Sequence, residues 1–209
     1  MYVGPDIVQD GLVAVFDAGS TRSYPGTGTV WYNLIGTVNG TLSASSIGTT
    51  TAGTMTFDGV DDTLNIVLAS LVSSDFTVIG VSGKVAGSNG RLISARSNNF
   101  LLGHHGTGSR KYYSEGWVAS SYSDSSNDVH IYCGTGDISG DVYSFREDNV
   151  NYTQTASGGS QGPNGFALGS FQNGSEYGTG TITVLLVYNR VLTDAEIDQN
   201  FNAQKNRFG

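Results

Sequence analysis

Cysteine is almost absent from this chain: in 209 residues there is one, Cys133. No internal disulfide can form, which excludes a disulfide-stapled secreted module and suits assembly in a reducing compartment. Cys133 closes the apolar run 129–133 and reads as a small core residue rather than a nucleophile. Charge is scarce too. Asp, Glu, Lys and Arg make up 13% of the residues, against about 25% in an average soluble domain. The balance is acidic, with a net charge of −8, which argues against general nucleic-acid binding. Long apolar runs are missing. The longest, Val184 to Tyr188, has the length of a strand and falls far short of the ~20 residues of a membrane span. Residues 1–10 carry no basic n-region and no apolar h-region, so neither a signal peptide nor a membrane partner is expected.

What the chain has instead is Ser, Thr, Asn and thirty glycines, together with eleven Tyr, nine Phe and two Trp. Glycine supplies the positive φ of tight turns, and the aromatics supply core material, so the composition suits many short strands. A chain of this length can bury roughly 70% of its unfolded surface without help from metals. Strand patterns recur along it. Gly11 to Asp17 reads as a strand buried on both faces. After a Gly/Ser/Pro loop over 18–29, Trp31 is placed to anchor that loop to the core. Met55 to Asp58 turns at Gly59, and 62–68 alternates with Leu64, Ile66 and Leu68 on one face. Further strands are read at 76–82, 111–113, 129–133, 142–147, 152–155, 166–170 and 181–188. Residues 91–96 and 100–104 form a hairpin turning at 97–99. A helix closes the chain: Thr193 and Glu196 make a capping box, and Ile197 and Phe201 share one face. Eleven to thirteen strands at regular spacing followed by one short helix imply an all-β domain over 1–209, with two packed antiparallel sheets.

Chemistry-bearing motifs are few. GTGSRK lacks the spacing of a phosphate loop, and there is no G-x-S-x-G elbow. His104 and His105 are neighbours that would point apart on a strand, a poor geometry for one metal, and read better as isolated loop histidines. Asn39, Asn151 and Asn173 match N-x-[ST] by chance in a chain without a secretory signal. Two sets of residues stand out. From Phe76 to Ser114 there is no acidic residue, while Lys84, Arg91, Arg96, Arg110 and Lys111 provide half of all the basic ones. This reads either as an anion-facing patch or as a basic edge on a solvated sheet, the second being favoured. Tyr112, Tyr113, Trp117 and Tyr122 crowd a polar, Gly/Ser-rich stretch. They read either as a rim loop offering a glycan or partner surface, or as a hairpin whose aromatics pack on the sheet or on a neighbouring subunit.

Several segments in order, DGLVAVFDAGSTRSYPGTGTVWYNL, NGTL, FDGVDDTLNI and VYNRVLTDAEIDQNFNAQKNRFG, resemble the laminin-G-like branch of the concanavalin A-like lectin/glucanase fold. They lie at both ends of the chain and imply a jelly roll spanning nearly all of it. Within that fold the motifs read as structural, with Arg190 tying the strand–helix connection to a carboxylate or carbonyls and Thr193 starting the helix. The resemblance also implies a possible Ca²⁺ at one rim, for which Asp61 or Asp62, with Asp17, are the candidates. Asp61 and Asp62 would point to opposite faces of a strand unless the backbone bulges. The family's acidic pair is replaced by Ile182-Thr183-Val184, and no cofactor is required. The E-x-D-x-x-E of the glucanases is missing too. The four glutamates are Glu115, Glu147, Glu176 and Glu196, so no enzyme is expected.

The look-alikes with DAG…SYPGTGT.W and YNR.LT..EI.QN are modules of tailed-bacteriophage virion proteins. The implied role is a capsid decoration or head-fibre subunit on the virion surface, made in the host cytoplasm. It would dock on the major capsid protein or another virion protein, and homo-oligomers are possible. The alternative is a lectin-like module that holds host cell-surface polysaccharide.

Overall fold

A computed structural model describes residues 6–43, 53–69, 71–120, 128–155, 159–172 and 174–208. Along the described chain run β1 (Leu12–Asp17), β2 (Val30–Trp31), β3 (Gly40–Leu42), β4 (Met55–Asp58), β5 (Leu64–Ile66), β6 (Phe76–Lys84), β7 (Ile93–Ala95) and β8 (Phe100–His105). They are followed by β9 (Gly108–Ser114), β10 (Trp117–Ala119), β11 (Val129–Asp137), β12 (Val142–Glu147), β13 (Val150–Thr155), β14 (Phe166–Leu168) and β15 (Thr179–Tyr188). The helix α1 (Asp194–Phe208) ends the chain. Fifteen strands exceed the eleven to thirteen expected. The additions are β2, β3 and β10, pieces of two or three residues too short to show an alternation of their own.

The strands form two antiparallel sheets. Sheet A has the order β1-β15-β6-β11-β12-β13, with β4 also paired to β15. Sheet B has the order β10-β9-β8-β7-β14-β5-β3-β2. Successive side chains on a strand face opposite ways, and sheet A is apolar on both faces. One set, including Phe16, Phe76, Val78, Tyr132, Phe145, Leu185 and Val187, meets sheet B in the main core. The alternate set, including Val15, Ile79, Val81, Ile131, Cys133, Val184 and Leu186, meets Leu192 and Ile197 at the start of α1. This explains why the whole of β6, FTVIGVSGK, is buried. Each fully buried aliphatic or aromatic side chain contributes roughly 1.5–3 kcal/mol. Cys133 belongs to the second core, where burial pushes its thiol up to about 12.

The conspicuous sequence motifs build one end of this framework. Trp31 is fully buried against Phe16, with ring centroids 5.4 Å apart. Asn33 Oδ1 accepts the Val15 amide at 3.0 Å, and Ser23 Oγ bridges the Asp17 amide and the Tyr32 carbonyl. The Tyr188 hydroxyl lies 3.0 Å from the Val8 carbonyl and 3.2 Å from Asn200 Oδ1, linking β15 to the N-terminal segment and α1.

The capping box is in place. The Thr193 amide donates to Glu196 Oε2 at 2.8 Å, and the Glu196 amide donates back to Thr193 Oγ1 at 3.4 Å. Arg190 grips the same carboxylate at 2.9 and 2.5 Å and reaches Asp10 at 3.0 Å. Farther along α1, Arg146 pairs with Asp194 and Asp198, and Arg207 pairs with Asp17 at 2.8 Å.

Thr193→Ala is expected to lower stability by about 1 kcal/mol in urea unfolding, the usual value of an N-cap. Glu196 adds a pH signature. Its hydrogen bond from Arg190, then those from Thr193, hold its carboxyl down to about 2, whereas a free glutamate titrates near ~4.3. The folded pKa is the lower one, so the stabilisation is complete above ~4.3 and is lost as pH falls towards 2. Glu196→Gln should therefore cost stability at pH 7 and progressively less as unfolding is measured towards pH 3.

Candidate functional site

Sheet B carries the residues with the most surface chemistry. Phe100, Leu102 and Tyr112 point into the core, so their neighbours Leu101, Lys111 and Tyr113 lie on the outer face. The β9–β10 hairpin, turning at Glu115-Gly116, brings Trp117 opposite Tyr113 in register. Their rings meet edge-on with centroids 5.1 Å apart, and His105 meets Trp117 at 5.5 Å. Trp117 is 42% exposed, while Leu101 beneath the group is buried. A β-bulge at Gly103/His104 precedes His105. Gly103 has φ +92°, and any Cβ there would fall 2.7 Å from the Tyr132 ring. On the far side of His105, Glu176 Oε2 lies 3.8 Å from its Nε2. Glu176 is itself held by Arg91 Nε at 2.7 Å, with the Arg91 guanidinium 4.1 Å from the Phe171 ring centre and donating to Asn99 Oδ1 at 2.7 Å. Partial burial, then the Arg91 charge, push the His105 imidazole below its ordinary value, so near pH 7 it is neutral and can both donate and accept. The result is an exposed indole flanked by a phenol and an imidazole, with a carboxylate 3.8 Å from that imidazole.

The sequence-predicted residues distribute across this picture unevenly. Tyr113 and Trp117 share the outer face. Tyr112 does not: it is fully buried, and its hydroxyl donates to the Thr135 carbonyl at 3.1 Å. Tyr122 lies outside the described residues. The five basic residues do not form one patch, because adjacent strand positions send them to different faces. Lys84 is buried with its ammonium on the Gly106 carbonyl, and Arg110 points inward to Glu147. Arg96 donates to Asn65 at 3.1 Å. Lys111 donates to the Ser120 carbonyl, and Arg91, Lys111 and the buried Lys84 lie within Coulombic range of His105. His105, read from sequence as an isolated loop histidine, ends β8; Glu176 was read only as a glutamate outside any catalytic motif, and Phe171 was not singled out. They come from segments about 70 residues apart, and no local pattern joins them.

The carboxylates also move relative to expectation. Residues 59–62 are a turn rather than the start of a strand, so Asp58, Asp61 and Asp62 place oxygens within 4.8 Å of one another. The expected opposition of Asp61 and Asp62 does not arise. Asp17 is elsewhere. It pairs with Val184 in register while Asp58 pairs with Thr179, five residues along β15, a separation of roughly 17 Å. Asp17 borders a cleft of about 450 Å³ between sheet A and α1, with Val15, Leu186 and Ala203 in its walls and Arg207 across it. In the acidic turn, Asp58 Oδ1 accepts the Val60 amide at 2.8 Å and Asp62 Oδ2 accepts the Asp58 amide at 3.0 Å. Asp58 Oδ1 and Asp62 Oδ2 are thus already committed to the backbone. A Ca²⁺ here would need most of its six or more oxygens from backbone and water.

A second cluster of titratable groups lies between the sheets. The inward stripe of sheet A runs from Phe76 and Tyr132 into polar residues at one end: Ser82, Lys84, His130 and Glu147. His104 enters from β8, not from a loop as the sequence suggested, with Nε2 3.2 Å from Ser82 Oγ and its ring edge-on to Tyr132.

No protein-family model matches this chain, and no curated protein matches it. Its fold, however, is found in solved structures. A sialidase of Trypanosoma rangeli, in complex with sialic acid, superimposes with a TM-score of 0.66 at 17% identity over 97% of this chain and 36% of the sialidase. The receptor binding domain of a botulinum neurotoxin C/D mosaic serotype superimposes with a TM-score of 0.66 at 11% identity over 94% of this chain and 52% of that domain. The binding domain of serotype D does so with a TM-score of 0.62 at 11% identity. The chain thus spans about a third of the sialidases and about half of the toxin domains. At these identities the likeness establishes the fold: an all-β, two-sheet jelly-roll-like sandwich with a C-terminal helix.

His104 makes stability pH-dependent. Burial, reinforced by Lys84 and His130, pushes its imidazole down to about 3, against ~6.5 in an unfolded chain. The unfolded state takes up a proton that the folded state refuses, so stability is full above ~6.5 and declines as pH falls towards 3. The slope is at most about 1.4 kcal/mol per pH unit. His104→Gln, followed by urea unfolding between pH 7 and 4.5, should flatten it; an unchanged slope would show that His104 is not its source.

Proposed function

We propose that this chain is a carbohydrate-binding, lectin-like module whose sugar face is the outer side of sheet B around Trp117. The observation that carries the reading is the exposed indole held edge-on by Tyr113 and His105, with Glu176 3.8 Å from the imidazole. An aromatic ring offers an apolar, rigid platform for the C–H face of a pyranose at little entropic cost. A carboxylate and a neutral imidazole next to it can accept and donate to ring hydroxyls. Lys111 and Arg91, within Coulombic range of His105, add positive potential for an acidic sugar. The names of the neighbours agree with the reading without carrying it: one is a sialidase bound to sialic acid, the others are receptor-binding or binding domains of toxins.

Binding without cleavage is the reading the carboxylates favour. Glycoside hydrolysis needs two carboxylates flanking a bond that substrate can reach. Glu147 and Asp148 are close to each other, but the Glu147 side chain is only 2% exposed and is clamped by Arg110 at 2.6 Å. Glu196 is consumed by the capping box and Arg190. Glu176 faces an imidazole and a guanidinium rather than a second carboxylate.

Within this reading, the module serves as an adhesive subunit of a tailed-phage virion, decorating the capsid or head fibre and docking on the major capsid or another virion protein. Its support is the resemblance of residues 17–31 and 188–200 to virion modules. In the fold, those segments build the loop from β1 to β2 and the β15–α1 joint, away from the Trp117 hairpin in the order of sheet B. Purified particles probed with an antibody against the chain should carry it; particles that lack it would remove the virion assignment and leave the sugar-binding one standing.

The binding reading is tested by a glycan array that includes sialylated and neutral bacterial glycans, followed by titration calorimetry on the hits. Trp117→Ala is expected to weaken binding at least ~10-fold, the scale of a lost hot-spot aromatic. It should leave stability within about 1 kcal/mol, because the ring lies on the outer face of sheet B and outside both cores. Tyr112→Phe, in the core, should leave affinity unchanged. An array without hits, or a Trp117→Ala protein of undiminished affinity, would refute the assignment.

A further inference from the structure

The polar end of the main core holds a set of ligating atoms that the sugar-binding reading does not use. His130 (β11), Glu147 (the last residue of β12) and Asp148 (in the β12–β13 turn) bring their ligand atoms within 4.8 Å of one another. The placement is built by the strands. Glu147 pairs with Tyr132 in register, and the inward alternation Tyr143, Phe145, Glu147 carries the carboxylate between the sheets. Asp148 and Asn149 both adopt positive φ, 47° and 66°. This turn folds Asp148 back on β11, where its amide donates to the Ile131 carbonyl and its Oδ1 accepts the Ile131 amide, both at 2.9 Å. Its other oxygen, Oδ2, stands 2.6 Å from His130 Nδ1.

Glu147 is the anomaly. Its side chain is 2% exposed, and Oε1 accepts from Arg110 Nε at 2.6 Å. Among the described residues, the buried Oε2 has no hydrogen-bond donor. A carboxylate oxygen sealed from water without a donor is costly and rare. A proton could fill the gap, but a cation fills it while also using the imidazole and the second carboxylate beside it.

We infer that His130, Glu147 and Asp148 form a binding site for a divalent transition-metal ion of the Zn²⁺ class. One imidazole nitrogen and two carboxylates are the N/O donor set such an ion takes, with a fourth position left to water. Hard Ca²⁺ prefers an all-oxygen shell and is disfavoured here. Ligand atoms around a tetrahedral Zn²⁺ stand about 3.3 Å apart. His130 Nδ1 stands 2.6 Å from Asp148 Oδ2 and 3.8 Å from Glu147 Oε1, and one ligand atom of each of the three residues lies within 4.8 Å of the others, so small side-chain rotations reach that spacing. The ion replaces the proton shared by Nδ1 and Oδ2, which leaves to solvent, and the two carboxylates balance its charge. Arg110 holds Glu147 Oε1, which leaves Oε2, the oxygen without a donor among the described residues, available to the ion. The bound ion would cross-link β11 to the β12–β13 turn.

The test is calorimetric titration of the EDTA-stripped full chain with ZnCl₂, with CaCl₂ as the comparison, alongside thermal unfolding and imidazole NMR. Expected are one Zn²⁺ per chain, a raised Tm, and perturbed His130 ring signals with those of His104 and His105 unmoved. Asp148→Asn and His130→Ala should each weaken Zn²⁺ at least ~10-fold. No Zn²⁺ binding up to millimolar concentration overturns the proposal. So does Zn²⁺ that shifts the His105 ring instead of His130, or an affinity that both substitutions leave unchanged. The NMR readout needs no variant, so it decides the question even if His130→Ala does not fold. Glycan affinity after EDTA treatment separates the two sites: sugar binding at Trp117 should not need the metal.

Discussion

Sheet A must be covered on both of its faces, and most of the remaining architecture answers that requirement. Alternation along β6, β11 and β15 produces two apolar surfaces from the same residues, one for each parity. A jelly roll normally closes only the inner surface with its second sheet. Here the outer one, with Ile79, Val81, Ile131, Cys133 and Leu186, would face water if α1 did not lie over it. The helix has little apolar pull of its own beyond Ile197, Phe201 and Ala203. It is therefore positioned by polar fixings: the Thr193–Glu196 box, Arg190, Arg146 onto its first turns and Arg207 onto β1. A string of ion pairs, each worth little at the surface, acts here as a register for a cover whose driving force is the buried area beneath it.

The same geometry explains why chemistry collects where it does. The inner stripes of sheets A and B are apolar for most of their length and give way to Ser82, Lys84, His104, His130 and Glu147 at one end. The bulge at Gly103/His104 lies at the boundary. It releases Arg110 from the ladder into a left-handed conformation, φ 58°, from which it reaches Glu147. One residue later the chain presents His105 to Trp117 on the opposite surface. The interior polar cluster and the exterior aromatic group are thus neighbours through the thickness of a single sheet, separated by β8.

How much of this was legible in the sequence depended on distance along the chain. The capping box and the turn at Gly59 rest on partners within a few residues, and they read correctly. Longer strands rich in apolar residues, β6, β12 and β15, also stood out. Two-residue and three-residue strands such as β2 and β10 carry no period, and only pairing with a neighbour makes them strands. The Asp58–Asp62 turn was misread because the alternation of Leu64 and Ile66 continues formally backwards to Asp62; the side chain of Asp58 capping Val60 stops it. The run of basic residues looked like one surface because sequence reports proximity but not face. For the aromatic group, Tyr113 and Trp117 were grouped only by the polar stretch they share; the hairpin register that sets them opposite each other comes from the fold. Tyr112 was wrongly grouped with them by adjacency, although the period of two should send it inward. His105 with Glu176, and His130 with Glu147, are joined only by the fold.

The burial of Cys133 has a practical side. Its sulfur sits under α1 with a thiol that stays protonated in the physiological range, so the native protein offers electrophiles no reactive handle. A cysteine introduced at any exposed position would then be the sole nucleophilic sulfur on the molecule. Maleimide dyes, spin labels or gold clusters could be attached one at a time around the sandwich without first deleting a native thiol. The orientation of the module on whatever surface it meets could then be mapped residue by residue.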